Sequence, residues 1–238
     1  MEQPSRIIAA LLLALGLTAG GWLVGHGFYR GRSVERFVTV KGVAERSVTA
    51  DTAFWPLRFV ATDDDLNRAQ TAIRDSRAKV LAFLESHGLP AASAELQALE
   101  VTDRLADPYR SGPVESRYII AQTLMVRSTE PERIRQASQD VGDLVAAGVV
   151  LAASGGPTYL FTRLNDLKPE MIAEATANAR QAAQQFAQDS ASRLGAIRRA
   201  SQGVFVILPR DQAPGFMEEN QMEKTVRVVS TVEFYLNN

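Results

Sequence analysis

Apolar and polar residues alternate over residues 36–48, where Phe37, Thr39 and Lys41 oppose Val38, Val40 and Gly42. A period of two marks a strand with two distinct faces. A second strand is predicted at Ala53–Ala61, rich in aromatic and β-branched residues, and the turn Thr49-Ala50-Asp51 makes the pair read as a hairpin. Pro56 lacks an N–H, so it belongs at a bulge or an edge. After Asp63-Asp64-Asp65 the period becomes helical. Leu66, Ala69, Ile73, Val80 and Leu84 fall on one face of a helix that runs to about Ser86, with acids at its start and Gly88 as its stop.

A second hairpin is predicted from Glu95–Leu105 and Glu115–Arg127, with residues 105–115 as its tip. Thr129-Glu130-Pro131-Glu132 opens a helix that ends near Gly148, because Pro suits the first helical turn and acids suit its positive end. Short strands follow at Val149–Ala153 and Thr158–Arg163. The spacing then predicts a helix over Pro169–Leu194, capped by Gly195, with Ile172, Ala175, Ala179, Ala183, Phe186, Ser190 and Leu194 as its stripe. Strands at Ala196–Leu208 and Thr225–Leu236 close the chain. The order ββα-ββα-ββα-ββ predicts an α+β fold of antiparallel-rich sheets with three main helices.

Ahead of these elements, residues 7–29 contain no Asp, Glu, Lys or Arg. Roughly 20 apolar residues suffice to cross a bilayer as a helix. A cleaved secretory signal would end near Thr18 or Gly20, but Trp22, Leu23, Val24, Phe28 and Tyr29 extend the apolar run past that point. The expectation is an uncleaved signal-anchor over 7–29, after a tail at 1–6 and before a linker at 30–36 and a domain at 37–238. Arg30, Arg32, Arg36 and Lys41 outnumber Arg6 and the amino terminus, which by charge alone favours a cytoplasmic domain.

Composition narrows the chemistry. The net charge of −1 lacks the footprint of a nucleic-acid binder. The absence of cysteine removes disulfides, thiolate metal sites and thiol nucleophiles. Ser154-Gly155-Gly156 has no phosphate-loop lysine and reads as a turn. Asp63-Asp64-Asp65 lacks the alternating ligands of a calcium loop and reads as a cap. Asp211, Glu218 and Glu219 are the candidates for a carboxylate-dependent hydrolase, although adjacent glutamates diverge. His87 has no second ligand beside it and reads as a helix-end histidine. The sequence assigns no catalytic, cofactor-binding or metal-ligating residue and no cofactor.

Three stretches together resemble the SIMPL family (DUF541). They are Phe37-Val-Thr-Val-Lys-Gly-Val-Ala-Glu-Arg-Ser-Val-Thr-Ala-Asp-Thr-Ala53, the alanine-rich helix Ala173–Gly195, and the terminal strand Val226–Leu236. The apolar N-terminus with Val40-Lys-Gly-Val-Ala-Glu-Arg46 and Phe54-Trp-Pro56 looks like a membrane-anchored branch of that family. The resemblance implies a periplasmic or cell-envelope domain, often oligomeric, with no established enzymatic activity and a loose association with envelope or oxidative-stress protection. It implies single-pass attachment to the bacterial inner membrane with the domain on the extracytoplasmic side, against the charge count. The expected function is non-enzymatic, through homo-oligomers or contacts with envelope proteins. A small apolar ligand held between sheet and helices, and a carboxylate-dependent hydrolase, are the alternatives.

Overall fold

The computed structural model describes residues 13–26, 36–106, 115–153 and 155–237. Residues 13–26 form helix α1. Among the described residues no helix is long and apolar enough to cross a membrane. The rest of the expected span, 7–12 and 27–29, lies outside the described residues, as do most of the hairpin tip and Ser154.

The architecture is α+β with antiparallel sheets. In chain order the elements are β1 (Phe37–Thr49), β2 (Thr52–Asp63), α2 (Leu66–Ser86), β3 (Ala94–Asp103), β4 (Tyr118–Ser128), α3 (Pro131–Gln139), α4 (Gly142–Ala146), β5 (Val150–Leu151), β6 (Thr158–Leu160), α5 (Leu164–Asp189), β7 (Arg193–Gln202), β8 (Val206–Pro209) and β9 (Glu223–Asn237). One sheet has the order β1-β9-β7, with β8 also on β9. The other has the order β3-β4-β2-β5, with β6 also on β2.

The expected β1–β2 hairpin does not form. β1 pairs along its whole length with the last strand, from Phe37↔Tyr235 to Thr49↔Glu223, while β2 pairs with β4, β5 and β6. A two-residue hairpin favours residues at positive φ, and neither Ala50 nor Asp51 adopts one. Instead the Asp51 carboxylate accepts the Thr162 N–H at 2.9 Å, the Thr162 hydroxyl at 2.9 Å and the Arg163 N–H at 3.2 Å. The chain therefore crosses from one sheet to the other at Ala50–Asp51. The β3–β4 hairpin forms as expected, with a bulge between Leu96 and Ala98.

Helix α2 matches its predicted span, and the Asp65 carboxylate accepts the Arg68 N–H at 3.0 Å as its N-cap. The single helix expected to run to Gly148 is broken into α3 and α4. Asp140 leaves helical geometry at the break and meets His87 at 3.1 Å. Helix α5 begins five residues before Pro169, because Leu164 and Leu167 pack against the buried cluster of Ala44, Met171, Ala175, Val226 and Val228. Pro169 therefore lies inside the helix. Its end also differs from expectation. Ser190 is the cap, Ala191 takes the positive φ of 49°, and Gly195 belongs to β7.

Each sheet is covered on one face. The buried stripe of α5 is Met171, Ala175, Ala179, Ala183 and Ala187, at strict four-residue spacing. Ile172 is half-buried and Phe186 exposed, so the predicted stripe was turned by about one residue at both ends. Alanine brings the helix backbone close to β1, against Val40, Ala44, Val226, Val232 and Phe234. On the other sheet, α2, α3 and α4 bury Ile73, Val80, Leu84, Ile134 and Leu144 against Trp55, Leu57, Phe59 and Leu124.

Candidate functional site

The carboxylates singled out from the sequence have separate partners. Asp211 pairs with Arg210 at 2.8 Å. Glu218 pairs with Lys224, whose ammonium also donates to the Glu218 carbonyl at 2.6 Å. Glu219 is exposed on a short 3-10 helix. Arg210 holds the Asp211 carboxyl below its ordinary range, the opposite of what a proton donor needs. Asp63 is held by Arg68 at 2.7 Å, and Asp64 accepts the Arg117 N–H at 3.0 Å. Among the described residues no group of three or more carboxylates or histidines could hold a metal ion.

His87 does what its position predicts. Its Nδ1 lies 2.9 Å from the Phe83 carbonyl oxygen, its Nε2 lies 3.1 Å from Asp140, and its ring packs on Phe83 at 4.5 Å. The Phe83 carbonyl first, and Asp140 after it, raise its pKa above the ordinary value despite partial burial. Lys224 had no sequence signal. It shares a β9 face with Val226, Val228, Ser230, Val232 and Phe234, and it is fully buried.

Two surfaces on the second sheet remain. The strand faces turned away from α2 carry Phe54, Val60, Ile119 and Met125, none of which joins a core cluster. Charges of both signs flank them. Arg58 pairs with Glu100 at 2.7 Å, Arg127 lies over the Phe54 ring at 5.2 Å, and Glu95 stands opposite Met125.

The second surface is on the helix side. β3 is an edge strand that overhangs α2, so its inward residues Leu96, Leu99 and Val101 stay 44%, 57% and 54% exposed. They form one wall of a groove of about 320 Å³, and Leu66, Gln70, Arg74 and Arg77 of α2 form the other. Ile120 and Gln122 of β4 lie in its floor. This volume is at the small end of ligand pockets, roughly 300–1,000 Å³. The sequence predicted a strand here but could not show that α2 leaves its inward residues uncovered.

The sequence model of one protein family, SIMPL, described as a protein of unknown function (DUF541), matches residues 38–234. No curated protein matches the chain.

Proposed function

Because the chain belongs to the SIMPL family, we propose that it is a non-enzymatic, membrane-anchored cell-envelope domain that works by pairing with a second copy of itself. The observation that carries this reading is the apolar outer face of the second sheet, centred on Phe54, Val60, Ile119 and Met125, none of which joins a core cluster among the described residues. A two-fold interface sets one patch against itself, so a self-pairing patch needs both charge signs. Arg58 and Arg127 beside Glu95 and Glu100 supply them. The charge-free run over residues 7–29 is the proposed anchor, and the family's envelope setting supports a domain outside the cytoplasmic membrane. Contacts with other envelope proteins, and through them a part in stress protection, belong to the same reading.

Light scattering on the full chain in mild detergent tests the pairing. The expected mass is a dimer or a higher even multiple, reduced to a monomer by Val60→Lys with Met125→Lys. A strictly monomeric wild-type chain across micromolar concentrations overturns it. A C-terminal reporter active only outside the cytoplasm tests the topology, and an inactive, stably expressed fusion removes the envelope placement.

A further inference from the structure

We propose that the groove between α2 and β3 binds a medium-chain alkyl carboxylate, with Gln122 and the guanidinium groups of Arg74 and Arg77 taking the carboxylate. The groove lies on the helix side of the sheet, opposite the pairing face, so the inference goes beyond the pairing reading and does not depend on it.

Gln122 is the first observation. It is 4% exposed at the floor of the groove, between the buried apolar residues Ile120 and Leu124 of its own strand face. Its side-chain amide makes no hydrogen bond with any described residue. Among the described residues no fully enclosed side-chain nitrogen or oxygen lacks a partner, so the amide reaches open space through the groove. An amide that opens into the groove without a protein partner is free to hydrogen-bond a ligand's polar atom there.

Charge is the second observation. Arg74 and Arg77 line the groove, are exposed, and have no ion pair with a described residue. By contrast Arg58, Arg68, Arg117, Arg133 and Arg135 each pair with a carboxylate. Two guanidinium groups one turn apart suit a carboxylate, which accepts two parallel N–H bonds from one fork.

Shape is the third. Leu66 and Arg77 mark the two ends of the helix wall, about 16 Å apart at 1.5 Å per residue. Arg74 and Arg77 stand together on the helix wall, and Leu96, Leu99 and Val101 line the strand wall, with Leu99 opposite Gln122. An elongated apolar strand wall facing two adjacent guanidinium groups fits a linear molecule with one anionic head and an apolar tail.

The test uses the full chain in nanodiscs of zwitterionic lipid, with a photoreactive decanoic acid and the photoreactive alcohol of the same length. Peptide mapping is expected to place the acid's label on residues 66–77 and 96–101, with unlabelled decanoate competing. The acid should label about tenfold more than the alcohol, the discrimination expected of charge-assisted hydrogen bonds. Arg74→Ala with Arg77→Ala should abolish that preference, while Arg199→Ala on the other sheet leaves it unchanged. Gln122→Met should lower labelling several-fold and leave the melting temperature equal or higher, since it removes an unpartnered amide. Equal labelling by acid and alcohol overturns the carboxylate assignment. Label elsewhere, or none above empty nanodiscs, overturns the site.

Discussion

A Cβ built on Gly42 would lie 1.8 Å from the Ala175 carbonyl oxygen and 2.5 Å from the Ala179 nitrogen. Both atoms are helix backbone and cannot swing aside. Gly42→Ala should therefore push α5 off β1 and cost about 3 kcal/mol, at the upper end of overpacking penalties. A shifted urea midpoint would show it, and an unchanged midpoint would mean that the contact is looser than the structure has it. Lys224 raises a question of charge where Gly42 raises one of space. Its ammonium has no access to water and depends on Glu218. Removing one member of a buried pair leaves an unpaired charge, whereas replacing both groups with apolar ones can be neutral. Glu218→Ala should thus destabilise more than Lys224→Met combined with Glu218→Ala. The reverse order in thermal denaturation would refute the dependence.

Among the elements, α2 and α3 are joined through His87 and Asp140. The imidazole's pKa is raised in the folded chain. A raised value means that the contribution is fully present below the unfolded pKa, about 6.5, and is lost as pH rises through the folded one. The stability gap between wild type and His87→Gln should narrow as pH increases from 5.5 to 8 by urea titration, and a constant gap would exclude the linkage. Element boundaries were legible wherever a cap or a period fixed them, as in α2 with Asp65 and Gly88. They were not legible where a tertiary contact overrode the local signal. Pro169 looked like a first-turn proline, yet Leu164 and Leu167 had core to fill and the helix began before it. The register of β1 with β9 joins residues nearly 200 apart, and no local pattern encodes it. The candidate groove was hidden for the same reason, since it depends on how the first half of α2 lies against β3.

At the scale of the molecule there are two helix-covered sheets with separate cores, joined at a narrow seam. The Ala50 N–H donates to the Met222 carbonyl at 2.8 Å and the Asp51 N–H to the Leu160 carbonyl at 2.9 Å. Burial pushes the Asp51 carboxyl up, but the hydrogen bonds from Thr162 and Arg163 outweigh it and hold the group below its ordinary value. Its contribution is therefore present above the unfolded pKa, about 3.9, and is lost as pH falls through the folded one. Asp51→Ala should cost about 2 kcal/mol at neutral pH, the scale of hydrogen bonds to a charged group. The difference from wild type should shrink in acid. With the seam weakened, hydrogen exchange should show the two sheets opening at different free energies. Identical protection of both sheets in the variant would show that they remain one cooperative unit.

The pairing of β1 with β9 also sets an order of assembly. Strands β2 to β6 lie between residues 52 and 160, so the second sheet is complete while the C-terminal third of the chain is still being made. β1 is the first strand made, yet its only strand partner among the described residues is the last. During synthesis, that strand waits without its β9 partner until Glu223–Asn237 is made. Among the described residues β1, β7 and β8 all bond to β9 and to no other strand, so a truncation before Glu223 removes all of those pairings at once. The carboxyl end is thus the keystone of the N-terminal sheet, and quality control that senses an incomplete chain has an unpaired β1 to recognise.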